Sequence, residues 1–555
     1  MIQSDGHKDN GKVTRNEWVF LAVAFLTAVI LRQMIHVRLF PDSIDYLTFA
    51  RNIFSGIHHT GGITLNCYRR PPLYPHLVAL FSLGSSSPTY LAEVGHQISV
   101  FGGALLVFPL YFLGRRMLGK TAAAAAILMA VITPEFLYYS GAVLTESLCT
   151  LFVTTSIFIL WTFSSKKKGH VRLLLLGFSL GLTFLSRHAA VGYLGIALVW
   201  VVFSRLVMKG PANSAVPVKS SGIQALIILA GFFLAVSPQV LYLHSETGRW
   251  ALVVDSSSPA RWLPHAGENI RYTKAYESVS SLTPDAELYL WEAEESPGLL
   301  STIANQPRGY LKAYVATLLR GYLPDTYPLP YPTIILILAL IGIIGLAKER
   351  KFNELLFIMW GFAGYYLFLT LFLNMRDRYM FPAYPFLLLV AGAGAAAVVK
   401  LPSYFIREEV QKTRVQWAGK VILFGFILAF LLPASAVLIK KQNALANTEF
   451  FERLGRDLSK KIEKGAVIFN RTPHLPYFSG GITASPPYAE IDDVLHFARK
   501  RGVEYWVVSS SYVPSLRPQF FPLLNPDRDH KGLMPVAVYK GSSEWIIVVY
   551  RILPD

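Results

Sequence analysis

Apolar runs long enough to cross a bilayer recur along the chain, and no other feature of the sequence restricts its fold as much. In hydrocarbon every backbone N–H and C=O must be satisfied within the segment, so a run of about 20 apolar residues has to be a helix. Spans are expected near 17–39, 96–113, 120–135, 143–163, 172–186, 189–207, 222–243, 331–347, 355–373, 380–399 and 417–439. The expectation is an α-helical integral membrane protein of about 11 spans, with the short pair inside 172–207 open to a different division. Composition agrees, because 53% of the 555 residues are hydrophobic and 16% are charged, against about 25% charged in soluble domains. Lys8, Lys12 and Arg15 precede the first span and no small-residue cleavage site follows it, so it reads as a retained signal anchor.

Orientation comes from the loops. The short segments 114–120, 164–172, 204–222, 348–354 and 400–416 are basic, whereas the opposite short loops hold Arg187, Arg376 and Arg378. The positive-inside rule then predicts a multi-pass protein of the cytoplasmic membrane with a cytoplasmic N-terminus. Loops 40–95 and 244–330, and everything after about 440, are expected outside. The net charge of +17 follows from this bias and from attraction to anionic headgroups. No basic stripe with interleaved aromatics stands on a soluble region, so nucleic acid is not an expected partner. Two cysteines, Cys67 and Cys149, cannot make a disulfide framework. A single bridge stays open, and two free thiols are the expectation.

The membrane part is expected over 1–440 and a small extracytoplasmic α/β domain over 441–555. In the latter, 448–465 and 491–502 read as amphipathic helices, 466–470 and 503–510 as strands, and 535–552 as a terminal hairpin. Loop 244–330 carries Trp250, Trp262, Tyr272, Tyr276, Tyr289 and Trp291, with helical patches predicted near 285–294 and 299–320. The G-x-G-x-x-A pattern in 390–399 lies inside an apolar span with no preceding strand. Close helix packing accounts for it better than a dinucleotide site, and "GFSLG" at 177–181 is read the same way.

Charge is almost absent from the span interiors. Arg32 and Arg205 lie towards span ends, where their stems could snorkel. Ion-coupled transport needs ionisable groups near the midplane, which the reading does not find. Polar residues gather instead at the outer ends of separate segments. They are Asp42 and Asp45 in "FPDSIDYLTFARNIFSG", Arg69 and Arg70 in "YRRPPLYP", Glu146 in "GAVLTESL", Arg187 and His188 in "SRHAAV", and Arg376, Asp377 and Arg378 in "NMRDRYMFP". Guanidinium is planar, bidentate and always charged, which suits a phosphate, and one at this depth would belong to a lipid. A carboxylate beside it suits removal of a proton from an acceptor hydroxyl. Phosphate leaves without a proton, so one base suffices and the acid–base pair of glycosidases is not needed.

"PDSIDYLTFARNIFSG…YRRPPLYPHL", "PEFLYYSGAVLTESL" and "RDRYMFPAYPFLLLVAG" resemble the GT-C glycosyltransferases that use polyprenyl-phosphate sugars, over roughly residues 15–400. The likeness is to the lipid A aminoarabinose transferases, the galacturonosyltransferases of the lipid A core and the protein O-mannosyltransferases. It implies a GT-C fold and inverting transfer of a sugar to a hydroxyl of lipid A, an envelope polymer or a protein. It also implies that Asp42 is the base, that Arg70 contacts the donor phosphate with Tyr46 at the family's Tyr, and that Arg378, Tyr379 and Pro382 match its Arg-Tyr…Pro segment. Arg69 and Arg376 would assist at the phosphate, while Asp45, Tyr46, Tyr68, Glu146, Arg187, His188 and Tyr379 would line the donor and acceptor pocket. Ser43 follows Asp42 where the family frequently has a second acid, and Asp45 stands where the aminoarabinose transferase has Arg. The expectation is therefore no essential metal and no cofactor beyond the lipid-linked donor.

Plainer roles stay open for the same residues. Asp42 could cap a helix, Asp45 could pair with an arginine, and Arg69 and Arg70 could meet lipid headgroups. Glu146 could serve a helix dipole, and Arg376 could pair with Asp377. A transporter of lipid-linked sugars and a non-catalytic scaffold on the same fold are the rival functions.

Overall fold

The computed structural model describes residues 13–60, 68–164, 169–207, 219–253, 263, 280–289, 298–320, 333–373, 377–402, 406, 408–444, 447–540 and 545–554. The membrane part is built from α1 (Arg15–Gln33), α2 (Pro41–Ile53), α3 (Leu73–Phe81), α4 (Pro88–Leu105), α5 (Val107–Leu118), α6 (Lys120–Ile132), α7 (Pro134–Ser140) and α8 (Glu146–Ser164). It continues with α9 (His170–Ser186), α10 (Gly192–Val207), α11 (Lys219–Thr247), α12 (Leu299–Asn305), α13 (Pro307–Arg320), α14 (Thr333–Lys348), α15 (Phe352–Thr370), α16 (Tyr384–Lys400) and α17 (Glu409–Ala444). Among the described residues 7 helices are long and apolar enough to cross a membrane, or 8 if α6 and α7, bent by 57°, form one span. Pro134 sits at the bend, where a residue without an N–H ends α6. Three shorter apolar helices, His170–Ser186, His188–Val202 and Thr333–Lys348, accompany them.

The small-residue patterns do pack helices. A Cβ on Gly177 would lie 1.9 Å from the Ile228 carbonyl oxygen, and one on Gly394 would lie 1.8 Å from that of Leu338. These contacts bring α9 against α11 and α16 against α14 at backbone distance.

The first span is shorter than its apolar run. The helix stops at Gln33, and residues 36–40 belong to neither helix nor strand, with Phe40 extended. Arg32, expected to snorkel, is 1% exposed. Its guanidinium donates to Ser140 Oγ (2.6 Å) and to the carbonyls of Ala28 (3.0 Å) and Ala130 (3.3 Å), so burial is compensated by acceptors on α1, α6 and α7. Of Arg205 nothing is described beyond its backbone.

The C-terminal domain contains α18 (Thr448–Leu458), β1 (Val467–Asn470), α19 (His474–Ser479), β2 (Ile482–Ala484), α20 (Ile491–Lys500), β3 (Tyr505–Ser509), α21 (Val513–Leu516), β4 (Leu533–Lys540) and β5 (Ile546–Ile552). Its five-stranded sheet has the order β2-β1-β3-β5-β4. β1 runs parallel to β2 and β3, while β5 is antiparallel to β3 and β4. Strand periodicity sends Trp506, Val508, Val548 and Tyr550 to the α20 face, and Tyr505, Val507, Ile547 and Val549 to the α18 face. Both faces of the central strands are therefore buried, which explains their near-continuous apolar sequence.

Two expected elements differ. The helix predicted over 448–465 ends at Leu458; Ile462 reaches the same core from a turn, so its i+4 spacing imitates a further helical turn. The patch at 285–294 is not helical over 285–289. Leu282 bridges Tyr289 in an antiparallel pair and Thr283 accepts and donates across the turn, which carries Tyr289 into the C-terminal core. The 299–320 patch is helical in two pieces, α12 and α13, broken before Pro307.

Candidate active site

The site grows from the first turn of α2. Pro41 occupies the first helical position, where a missing N–H costs nothing. The helix already begins at Pro41 with Phe40 as its N-cap, whose N–H donates to Ser43 Oγ (3.0 Å), so Asp42 lies inside the first turn and is not the capping residue. Asp42 still favours the positive helix end, and its carboxylate is free to turn outward. Asp42 Oδ1 accepts from Arg70 Nη2 at 2.6 Å and Asp42 Oδ2 from Arg378 Nη1 at 2.7 Å. Asp45, three residues on and so on the same face, accepts from Arg70 Nε at 2.8 Å, from Arg70 Nη2 and from Arg69 Nη2 at 3.3 Å. Tyr46 is buried with its ring 5.5 Å from the Arg70 guanidinium carbon. The Arg70 side chain is 14% exposed and that of Arg69 46%, so Arg70 lies inside the cluster and Arg69 at its rim.

A second ion pair adjoins the first. Glu146 opens α8, and its Oε1 accepts from Arg187 Nη1 at 2.7 Å, with both side chains buried. Arg187 sits in the extended residue that ends α9. The ring of Tyr379 lies 4.8 Å from the Arg187 guanidinium and 5.6 Å from that of Arg378. Arg378 and Tyr379 belong to the 3-10 turn Asp377–Ala383 that leads into α16. The structure thus joins Asp45, Arg70, Asp42, Arg378, Tyr379, Arg187 and Glu146 in one chain of contacts, drawn from five separate stretches of sequence.

Two sequence-predicted residues, Tyr68 and His188, have their ring contacts outside that chain. Tyr68 faces His59, ring to ring at 4.7 Å, and reaches Glu246 Oε2 at 3.5 Å. His188 packs against Phe184 at 4.9 Å, and its Nε2 has no hydrogen-bond partner among the described residues. Arg376 lies outside the described residues, as does Cys67; Cys149 is buried and free. The reading from sequence passed over Tyr193 and Tyr365, which stack at 4.4 Å inside α10 and α15 with hydroxyls that meet no partner among the described residues. It also passed over Glu135, 8% exposed, neither of whose carboxylate oxygens is partnered there. Tyrosines inside apolar spans, and an acid directly after the proline that breaks a span, were the available signals.

Burial alone would raise the Asp42 carboxyl. The guanidiniums of Arg378, Arg70 and Arg69 outweigh that effect and hold the group well below the usual carboxylate range. Chemically, the cluster offers an ionised carboxylate flanked by forked cations that could be shared with an incoming oxyanion. Among the described residues no group of three His, Cys, Asp or Glu side chains is arranged to hold a metal ion.

Residues 69–242 match the family model described as dolichyl-phosphate-mannose-protein mannosyltransferase. No curated protein matches the chain. Among solved structures it is similar to the oligosaccharyltransferase of Archaeoglobus fulgidus in the apo form, at 16% identity over 89% of this chain and 69% of that one, with a TM-score of 0.58. The same protein, AglB, in complex with an inhibitory peptide and a dolichol-phosphate, aligns at 14% identity over 96% of this chain and 74% of that one, TM-score 0.54. ArnT from Cupriavidus metallidurans bound to undecaprenyl phosphate aligns at 15% identity over 97% and 98% of the two chains, TM-score 0.49. At such identities the likeness to AglB is one of fold, and the family segment falls on the stretch that carries Arg70, Glu146 and Arg187. The chain thus shares the fold of a membrane oligosaccharyltransferase, and its residues 69–242 carry the similarity to the mannosyltransferase family model.

Proposed function

We propose that the protein transfers a sugar, with inversion, from a polyprenyl-phosphate carrier to a hydroxyl acceptor at the outer face of the cytoplasmic membrane. One observation carries the reading: Asp42 is held between Arg70 and Arg378, one guanidinium on each carboxylate oxygen. A hydroxyl beside Asp42 gives its proton to the carboxylate as its oxygen attacks the anomeric carbon. The bond from that carbon to the phosphate oxygen breaks, the electron pair leaves with the phosphate, and the configuration inverts. Arg70 and Arg378, with Arg69 at the rim, meet the charge that grows on the departing phosphate. Asp45, Tyr46, Glu146, Arg187 and Tyr379 line the place where donor and acceptor meet, with Tyr68 and His188 at its margins; Arg376, outside the described residues, is proposed to assist at the phosphate. The scheme uses no metal and no further cofactor.

The two roles of the arginines are coupled. Arg70 and Arg378 cannot serve the phosphate fully while both neutralise Asp42. A bound donor draws guanidinium charge away from the carboxylate and raises its affinity for a proton, so the base strengthens when substrate is present. The family name, with its dolichyl-phosphate-mannose, and the dolichol-phosphate in the AglB complex support a lipid-phosphate donor. Basic short loops on the other side of the bilayer support an outward-facing site.

The test is mass spectrometry of envelope lipids and glycoproteins from cells with and without the intact gene. A missing mass increment names sugar and acceptor, whether lipid A, an envelope polymer or a protein. Purified protein supplied with that donor and acceptor should form product, and Asp42→Asn should not. A transporter or a scaffold would give no product from purified protein, and near-wild-type turnover in Asp42→Asn would remove the base.

A further inference from the structure

The stretch between α1 and α2 contains backbone that neither helix nor strand satisfies, yet it delivers Asp42 to the site. Its polar groups are met by side chains from the far end of the sequence. Asn443 accepts from the His36 N–H at 2.7 Å and donates to the Met34 carbonyl at 2.9 Å. Asn447 accepts from the Leu39 N–H at 3.2 Å and donates to the Leu39 carbonyl at 3.3 Å. Thr448 donates to the Val37 carbonyl at 2.9 Å. His474 Nε2 lies 2.9 Å from the Leu39 carbonyl oxygen, its ring buried and stacked on Phe451 at 4.6 Å. A carbonyl can only accept, so Nε2 carries the proton there.

We infer that the end of α17 and the C-terminal domain together splint the proposed catalytic aspartate: Asn443, Asn447, Thr448 and His474 fix the irregular segment 34–40 and thereby set where Asp42 meets Arg70 and Arg378. This rests on the reading of Asp42 given above. The four are positioning residues, and none of their contacts described here is to the acid–arginine cluster. Two asparagines each grip both a donor and an acceptor of the same short stretch, as a neighbouring strand would. The hold continues beyond Asp42. Arg51, in the last turn of α2, donates to the Tyr477 carbonyl (3.5 Å) and lies over the Tyr477 ring (5.4 Å), while the Tyr477 hydroxyl donates to the Pro88 carbonyl at the start of α4 (3.2 Å). α19 therefore touches the chain on both sides of the aspartate. A carboxylate displaced by about 1 Å loses on the order of 100-fold in rate, which is why such a short connection would need bracing.

The experiment uses the full chain in lipid nanodiscs with Asn447→Ala, His474→Ala and His474→Gln, whose amide N–H could donate to the Leu39 carbonyl. Tyr539→Phe, which removes a hydrogen bond to Asp457 within the same domain, is the control for general loosening. Hydrogen exchange of the 34–47 peptide should quicken by about tenfold or more in the two alanine variants and in neither His474→Gln nor Tyr539→Phe. In the same preparations turnover should fall about 10- to 100-fold with little change in donor KM, and His474→Gln should recover most of it. Unchanged exchange in 34–47 overturns the splint whatever the protein's activity, as does an exchange increase spread evenly over the domain. Faster exchange there in a protein whose wild type forms no product leaves the splint standing and removes the transferase reading alone.

Discussion

Arg378 Nη1 lies 2.7 Å from Asp42 Oδ2, which ties the turn before α16 to the first turn of α2 across most of the sequence. The contact makes the carboxylate and the guanidinium answerable to each other. Removing either leaves a partly buried charge with one fewer partner, so substitutions should separate by what they leave behind. Asp42→Asn keeps the shape and removes the proton acceptor, and turnover should fall about 10²–10⁴-fold. Arg378→Lys keeps the charge but loses the forked geometry, and a smaller fall, about 10²–10³-fold, is expected together with a raised donor KM. Initial rates with purified protein decide this, and equal losses in the two variants would speak against distinct roles.

The same ion pairs set a pH dependence. In the free protein the Asp42 carboxyl is held well below its usual range by Arg378, Arg70 and Arg69. The acid limb of kcat/KM should accordingly fall well below the ordinary aspartate value of about 3.9. Once donor phosphate shares the arginines, the limb of kcat should lie at higher pH than that of kcat/KM. Coincident limbs would mean that the arginines stay on Asp42 throughout. For stability the sign is that of a depressed carboxyl: its contribution is full above about pH 3.9 and is lost as pH falls through the lower folded value.

Much of this was readable from residue types. Runs of apolar residues, the arginines beside paired prolines at Arg69 and Arg70, and the Asp–x–x–x–Tyr stretch from Asp42 to Tyr46 mark helices and cluster without coordinates. Less legible was anything decided by partners distant in sequence. Arg32 looked like a snorkelling residue because its acceptors, Ser140 and the Ala130 carbonyl, lie on other helices. The end of α1 at Gln33 was hidden because residues 35–40 are nearly as apolar as the span itself. They leave the helix to meet Asn443, Asn447 and His474, whose role has no local pattern. Tyr68 stands next to Arg69 in sequence yet turns to His59 and Glu246, since side chains of adjacent residues point different ways.

Glu146 and Arg187 form a buried pair at 2.7 Å, with side chains 2% and 10% exposed. Breaking such a pair costs more than exchanging it, because an unpaired charge remains in a poorly solvated place. Arg187→Ala and Glu146→Ala should each destabilise the protein by about 3–5 kcal/mol. The double variant should be less destabilised than the sum of the two, since neither charge is then stranded. Melting of the purified protein in detergent measures the three, and simple additivity would show that the two groups do not act on each other.

The helix packing gives a test that does not touch the site. α9 and α11 approach so closely at Gly177 that an added Cβ would lie 1.9 Å from the Ile228 carbonyl oxygen and 2.8 Å from its carbon. Backbone cannot swing aside as a side chain can, so Gly177→Val must separate the two helices along their length. Overpacking of this kind costs about 1–3 kcal/mol even where side chains yield, and a larger loss is expected here. Gly195, within α10, has nothing within 4 Å of its would-be Cβ. Gly195→Ala should leave melting unchanged or raise it slightly, because alanine favours helix over glycine by up to about 1 kcal/mol. The contrast separates the two reasons for finding glycine in a membrane helix. If Gly177→Val melted like the wild type, α9 and α11 could not be in backbone contact there, and the close-packing account of the 177–181 motif would fail.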